Sequence, residues 1–244
     1  MALPQAQIPP RGERLYEGKA KVVYATADPG LVRIYFKDDA TAFDGRKRGT
    51  IGEKGRLNAR IAAHLFQVVE AGGVPTHLVA VAGEQELLAR RVAIIPLEVV
   101  VRNVVAGSLA RRLGLAPGQV LEEPVLELYY KRDDLGDPLI NRAHVRLLGI
   151  ATAAELDRIE ALALAVNRIL RPYLAERDLI LVDFKLEFGR SGDDILLADE
   201  ISPDTCRLWD RATGEPLDKD RFRHDLGGVA DAYAEVWRRL EARG

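Results

Sequence analysis

The sequence predicts an α+β fold built on antiparallel sheets, and three observations lead there. Short runs of β-forming residues separated by turn signals dominate residues 15–36 and 77–131 and return at 179–201. Long helical patterns of period 3.6 are confined to about 53–71, 152–173 and 228–241. The two kinds of segment do not alternate strictly, which argues against a parallel βαβ sheet. The 244 residues, 48% apolar and 30% charged, suffice for one large core or two small lobes and exclude a wholly disordered chain.

Taken in order, residues 15–25 favour a strand, and Asp28-Pro29-Gly30 presets a reversal before the strand at 31–36. Residues 37–55 read as a polar loop dotted with Gly45, Gly49, Gly52 and Gly55. A helix from about Glu53 aligns Leu57, Ile61, Leu65 and Val68 and stops at Gly72-Gly73. Residues 77–82 and 90–102 read as strands, the second interrupted at Pro96, where a proline argues for a strand edge or a bend between lobes. This divides the chain into a β-rich N-terminal lobe, 1–96, and an α+β C-terminal lobe, 97–244. Within the latter, 108–113 forms a short helix and 125–131 a strand. Thr152-Ala-Ala-Glu155 has the form of a capping box opening a long helix. Residues 179–188 and 195–201 form a second hairpin, and the helix at 228–241 buries Val229, Tyr233, Val236 and Leu240.

Thirty-five basic side chains against 37 acidic ones give a net charge of −2, so no bulk basic field for nucleic acid or an anionic membrane exists. A single cysteine, Cys206, rules out a disulfide framework and a cysteine zinc site. This favours a reducing, cytoplasmic home. No apolar run approaches the roughly 20 residues a membrane span needs, and residues 1–10 read as a loose leader.

The strongest chemical signal is Leu179-Ile-Leu-Val-Asp-Phe-Lys-Leu-Glu-Phe188. Alternation along a strand puts Ile180, Val182, Phe184, Leu186 and Phe188 on one face and Asp183, Lys185 and Glu187 on the other. A solvated row of self-neutralising charges is the alternative. Asp199 and Glu200 approach from the partner strand, and an even pairing register puts Asp199 on the Glu187 face, where converging carboxylates call for a hard cation such as Mg²⁺. Gly18-Lys-Ala-Lys21 presents two ammonium groups pointing the same way beside a glycine, suited to polyphosphate, or merely an exposed pair on an edge strand. Arg102, Ser108 and the start of the helix after Gly107 suit a phosphate or carboxylate, or a plain Ser cap. The loops 43–49, 199–210 and 219–224 add further charges, and Cys206 reads as a space-filler. Without a Ser–His–Asp or Cys–His grouping, this set points to phosphoryl transfer or ATP-driven ligation.

The residues resemble a known family. Residues 94–108 and 181–189, together with 16–21, 202–210 and 218–223, are similar to the motifs of the SAICAR synthetases, the phosphoribosylaminoimidazole-succinocarboxamide synthases of purine biosynthesis. The resemblance spans about 15–240 and implies a two-lobed α+β fold with an ATP cleft between the lobes. It also implies ATP-dependent ligation of L-aspartate to the carboxylate of CAIR, giving SAICAR, ADP and phosphate through an acyl phosphate. Carried onto this chain, it assigns Gly18, Lys19, Ala20, Lys21, Val23, Ile94 and Lys131 to ATP, and Glu187 and Asp199 to Mg²⁺. Arg102, Ser108, Asp137, Asp204, Arg207 and Arg223 go to substrate binding, and Asp183, Lys185 and Asp44 to the reacting centre. A homo-oligomer, most simply a dimer, acting on small molecules in the cytoplasm completes the expectation. A small-molecule kinase and a nucleotide-sensing module are the competing readings.

Overall fold

The structure is a computed structural model and describes residues 8–42 and 46–242. Most of the expected leader, and the predicted site residue Asp44, lie outside the described residues. In chain order the first elements are β1 (Arg14–Glu17), β2 (Lys21–Ala25), β3 (Leu31–Phe36), β4 (Asp39–Ala42), β5 (Lys47–Thr50), α1 (Lys54–Ala71), β6 (Leu78–Gly83) and β7 (Glu86–Arg90). There follow β8 (Ala93–Val104), α2 (Gly107–Leu113), β9 (Val120–Tyr130), β10 (Leu139–Ile140), α3 (Arg142–Leu147) and α4 (Ala153–Ala175). The chain closes with β11 (Leu179–Ser191), β12 (Asp194–Ala198), β13 (Cys206–Asp210), α5 (Asp220–Arg223) and α6 (Val229–Glu241).

These form an α+β fold of antiparallel sheets. One sheet has the order β1-β2-β3-β7-β6, and the other β10-β9-β8-β11-β12 with β13 also paired to β11; β4 and β5 make a separate ribbon. The β2–β3 reversal is set by Asp28, whose Oδ1 accepts from Gly30 N at 2.8 Å. Helix α1 buries Leu57, Ile61, Leu65, Phe66 and Val69 and packs against α4, α6 and the first sheet. Its start lies so close to β3 that a Cβ on Gly55 would come within 2.4 Å of the Phe36 carbonyl oxygen. At the head of α4, Thr152 Oγ1 accepts from Glu155 N and Glu155 Oε2 accepts from Thr152 N, the predicted capping box.

Several expectations are corrected. The strand at 15–25 is two strands, broken at Gly18–Ala20, so Lys19 sits in a turn and does not share a strand with Lys21. Residues 37–55 are not a plain loop, because β4 and β5 pair across them, and β7 was not foreseen at all. Both cases involve strands of four or five residues, too short to show a period. Strand β8 runs through Pro96 without interruption. On one side Pro96 lies within a bulge of β8 itself against β11, between the Glu187–Glu98 and Gly189–Ile94 pairs; on the other, pairing with β9 begins at Leu97. The missing N–H therefore removes no ladder bond.

The alternation along β11 also differs. A bulge against β13 between Leu181 and Asp183 shifts the parity. Leu179 and Leu181, then Phe184, Leu186 and Phe188, face the main core, whereas Ile180 and Val182 pack with Val104, Ala106 and Trp209. Asp183, Lys185 and Glu187 still follow one another on a common side, because the shift occurs before them.

Helix α4 is tied to the central sheet by a buried amide pair. Asn103 Nδ2 donates to Asn167 Oδ1 at 2.8 Å and to the Leu181 carbonyl at 3.1 Å, and Asn167 Nδ2 returns a bond to Asn103 Oδ1 at 2.9 Å. Replacing Asn167 by Leu strands half of this exchange in the core. The variant should lose about 1–3 kcal/mol of stability, read as a lower urea midpoint at an unchanged slope.

Candidate active site

A cavity of about 1020 Å³ opens between the first sheet with its β4–β5 ribbon and the second sheet. Its walls carry Gly18, Lys19, Ala20 and Lys21 on one side and Glu98, Lys131, Asp137, Lys185, Glu187, Asp199 and Glu200 on the other. A second cavity of about 210 Å³ adjoins it and is lined by Arg102, Ser108, Tyr129, Asp183, Cys206 and Arg207. Glu98, Lys185, Asp204, Thr205 and Arg223 belong to both walls.

At the centre, three lysines interleave with acidic groups. Glu187, only 2% exposed, accepts from Lys185 Nζ and from Lys131 Nζ. Lys185 Nζ also lies 3.3 Å from Glu98 Oε1 and 3.5 Å from Asp199 Oδ2. Lys21 bonds the other Asp199 oxygen and reaches Glu200 Oε1 at 2.8 Å. Burial pulls the Lys21 and Lys185 ammonium groups down, but the surrounding carboxylates outweigh it and hold both above the usual lysine range. Burial likewise pushes the Asp199 carboxyl up, and Lys21 with Lys185 overrides it, so Asp199 stays ionised well below the ordinary carboxylate range. Lys19 is more exposed and lies 3.1 Å from Asp133.

The hairpin register differs from the even one expected. Glu187 faces Ala198 across the β11–β12 pair, and continuing that ladder would send Asp199 to the core side. Instead Asp199 adopts a left-handed backbone, φ 60°, which ends the strand and turns its carboxylate back toward Lys185. Glu187 and Asp199 therefore meet at one ammonium group by a route the ladder alone would forbid.

The donor set fits Mg²⁺ only in part. Two hard oxygen ligands converge here, and no group of three or more His, Cys, Asp or Glu side chains among the described residues makes a complete cage. Such a site suits a cation that keeps several waters and takes its remaining ligands from phosphate oxygens, the usual habit of Mg²⁺.

The smaller cavity is built around Asp183, which is 4% exposed. Its Oδ2 accepts from Arg102 Nη1 and from Arg207 Nη1, each at 2.9 Å. Arg102 also donates to Ser108 Oγ at 3.1 Å, to Tyr129 Oη at 3.2 Å and to Glu127 Oε2 at 2.6 Å. Ser108 is thus not the cap of α2, whose preceding residue is Ala106. Gly107, φ 52°, brings the backbone against Arg207, where a Cβ would lie 2.6 Å from Nη2. Two forks, locked by one carboxylate and a glycine, form a preorganised anion site.

Asp204 joins the two cavities from below. Its Oδ1 accepts from Tyr233 Oη at 2.7 Å, and Lys54 Nζ lies 2.6 Å from Oδ2, with Lys54 and Asp204 almost wholly buried. Arg223 donates to Asp220 Oδ1 at 2.6 Å. Of the residues expected at the site, Val23 packs against the core and Ile94 is 43% exposed; neither lines a cavity. Glu98, Lys54 and Lys37 were missed. Lys54 had a signal: it falls one turn before Leu57 on the buried stripe of α1, where a lysine needs a partner.

A family model described as SAICAR synthetase matches residues 14–240. The chain belongs to the SAICAR synthetase family. The phosphoribosylaminoimidazole-succinocarboxamide synthase of Exiguobacterium sibiricum is 56% identical over 94% of this chain and 98% of its own length. That of Chlorobium chlorochromatii is 58% identical over 93% and 97%. Among solved structures, a SAICAR synthetase in complex with ADP superposes with a TM-score of 0.91 at 52% identity, covering 94% of this chain and 98% of the other. The enzyme from Ehrlichia chaffeensis gives 0.92 at 44%, covering 94% and 99%. ATP-dependent ligation of L-aspartate to CAIR, in purine biosynthesis, is the activity that goes with this membership.

His77 sits directly behind Asp199. Burial lowers its pKa to about 4, against an ordinary value of 6.5, and its Nε2 has no hydrogen-bond partner. A histidine depressed in the folded state contributes full stability above pH 6.5 and loses it as the pH falls toward 4. The acid limb of a stability–pH curve should therefore drop by about 3 kcal/mol through this group. His77→Leu should flatten that limb between pH 6.5 and 4; an unchanged slope would reject the assignment.

Proposed function

We propose that this chain performs its family's ligation through an acyl phosphate, with the two cavities dividing the substrates. The observation that carries this reading is the adjacency of a lysine–carboxylate cavity and a two-arginine anion site, joined along a shared wall of Lys185, Asp204, Thr205 and Arg223. Lys19 and Lys21, beside the Gly18–Ala20 turn, bind the ATP phosphates, and Lys131 assists from β9's end. Arg102, Ser108 and Arg207 hold the ribonucleotide phosphate of CAIR, which directs its carboxylate toward Lys185 at the junction. No protein nucleophile is needed, since positioning and charge neutralisation lower the barrier for phosphoryl transfer to that carboxylate.

Glu187 and Asp199 are the Mg²⁺ ligands in this reading. The cation, when bound, supplies charge neutralisation between the phosphate oxygens. The arrangement explains how charge stays balanced: a triphosphate offers Lys21 and Lys131 new oxyanions, which releases their carboxylates for the cation. Lys185 keeps the incoming carboxylate close to the transferred phosphoryl group. A two-lobed chain divided near residue 96, with Asp137 bordering the cleft, a dimeric assembly and a cytoplasmic location belong to the same proposal.

ADP release measured with each substrate omitted in turn tests the reading, because it should require ATP, CAIR and L-aspartate together. Turnover with ATP and CAIR alone would indicate a kinase, and ATP binding without turnover under any mixture a sensor. Glu187→Gln and Asp199→Asn should each lower kcat by at least about 100-fold, the scale for losing a metal ligand. Near wild-type activity in either removes the metal assignment. Arg102→Lys should weaken CAIR more than ATP, since only the fork to Asp183 and Ser108 is lost.

A further inference from the structure

The triphosphate and ribonucleotide-phosphate sites leave one cationic corner of the larger cavity unused. It is formed where α5 and the residue before it meet the wall carrying Asp204 and Thr205. Lys219, Arg223 and the buried Lys54 gather there with the carboxylates Asp204 and Asp220, and with Glu200, which pairs with Lys21. Each of these carboxylates is already committed. Asp204 takes Lys54 and the Tyr233 hydroxyl; Asp220 takes Arg207 and Arg223.

That leaves Lys219. Its backbone is pinned, with N donating to the Pro203 carbonyl at 3.0 Å and its carbonyl accepting from Phe222 and Arg223. Its side chain is partly buried in the cavity wall, yet among the described residues its ammonium makes no hydrogen bond or ion pair. The other lysines lining the larger cavity, Lys19, Lys21, Lys37, Lys131 and Lys185, each have a carboxylate in contact. A desolvated cation whose nearest carboxylate is not in hydrogen-bond contact is costly, and burial depresses its pKa, with Arg223 and Lys54 acting in the same direction and Asp204 and Glu200 against them. Such a corner is completed by an anion from outside.

Which anion follows from position. Lys219 lines the larger cavity only, away from the Arg102–Ser108–Arg207 forks, while Arg223 beside it lines both. The triphosphate lysines Lys19 and Lys21 belong to the first-sheet side of the cavity, and Lys131 follows β9. The corner therefore faces the junction where the reacting carboxylate must lie, from the side that neither nucleotide occupies. The remaining substrate is an amino acid with two carboxylates, whose amine must reach that same junction.

We propose that Lys219, with Arg223, binds a carboxylate of L-aspartate and is a specificity-determining contact for the amine substrate. This rests on the ligase reading above. One carboxylate held at this corner leaves the amine free to point at the activated CAIR carboxylate across Asp204 and Thr205. The β4–β5 ribbon closes the corner from above, since Lys47 reaches Asp225 at 2.6 Å and Gly49 abuts Phe222 of α5.

The test is steady-state kinetics on the full-length protein with Lys219→Gln and Lys219→Arg, after wild type has been shown to need all three substrates. A wild type that turns over without aspartate would overturn the ligase reading itself, independently of either variant. Lys219→Gln should raise the KM for L-aspartate by about 30-fold or more, the scale for losing one charged contact, with the KM values for CAIR and ATP changed less than about threefold. Lys219→Arg should recover part of the loss. An increase confined to CAIR or ATP, or no change in any KM, overturns the proposal. Should the Gln variant turn over too slowly to measure, calorimetric titration of L-aspartate into protein saturated with ADP and CAIR decides instead. Wild-type affinity there would overturn the proposal, and loss of aspartate binding with ADP binding retained would support it.

Discussion

The site depends on one constraint: Lys185 is held among Glu98, Glu187 and Asp199, so none of these charges can be buried alone. Burying an unpaired ion costs several kcal/mol, while burying a mutually satisfied cluster costs far less. The strand that carries Lys185 and Glu187 is fixed from its other face by Leu186 and Phe188, both almost fully buried. A one-residue slip would put the charges into that core and the apolar side chains into the cavity. Fold and site thus share one register.

Much of the fold was legible because its signals are local. The Asp28-Pro29-Gly30 turn, the Thr152–Glu155 capping box and the apolar stripes of α1 and α6 each depend on residues a few positions apart. What escaped is set by contacts distant in sequence. The bulge at Leu181–Asp183 comes from pairing with β13, some 25 positions on, and Pro96 fits mid-strand because β8 bulges there against β11. Strands β4, β5 and β7 are shorter than any period can reveal, and exist because a neighbour offers them an edge.

The site was legible in residue type more than in partnership. The Asp183, Lys185 and Glu187 row and the Arg102 and Ser108 pair are where the sequence indicated, but their roles in the folded chain are sharper. Asp183 serves as a clamp on two guanidinium groups, and Ser108 accepts from Arg102 where a helix cap was the alternative. Lys54 and Asp204, 150 positions apart, could only be joined by tertiary packing, with α1 against α6, whose Tyr233 holds the other Asp204 oxygen. A sequence shows that a buried stripe contains a lysine; it does not show which carboxylate receives it.

Asp199 shows how the backbone settles what alternation would not. A two-residue turn at Gly192-Asp193 fixes the β11–β12 ladder, and that ladder assigns Ala198 to the Glu187 side. Restoring a carboxylate to that side requires the chain to leave the strand at once, and φ 60° at Asp199 does so. A non-glycine residue there carries a conformational cost of about 1 kcal/mol or more, smallest for Asp and Asn. Glycine would remove that cost but also the carboxylate that Lys21 and Lys185 share, leaving Lys21 with Glu200 alone and Lys185 with only Glu98 and Glu187 in a buried wall. The strained backbone is retained because the electrostatic penalty of relieving it is larger. The price of the bend is local, while its benefit extends to both lysines and to Glu187 through them.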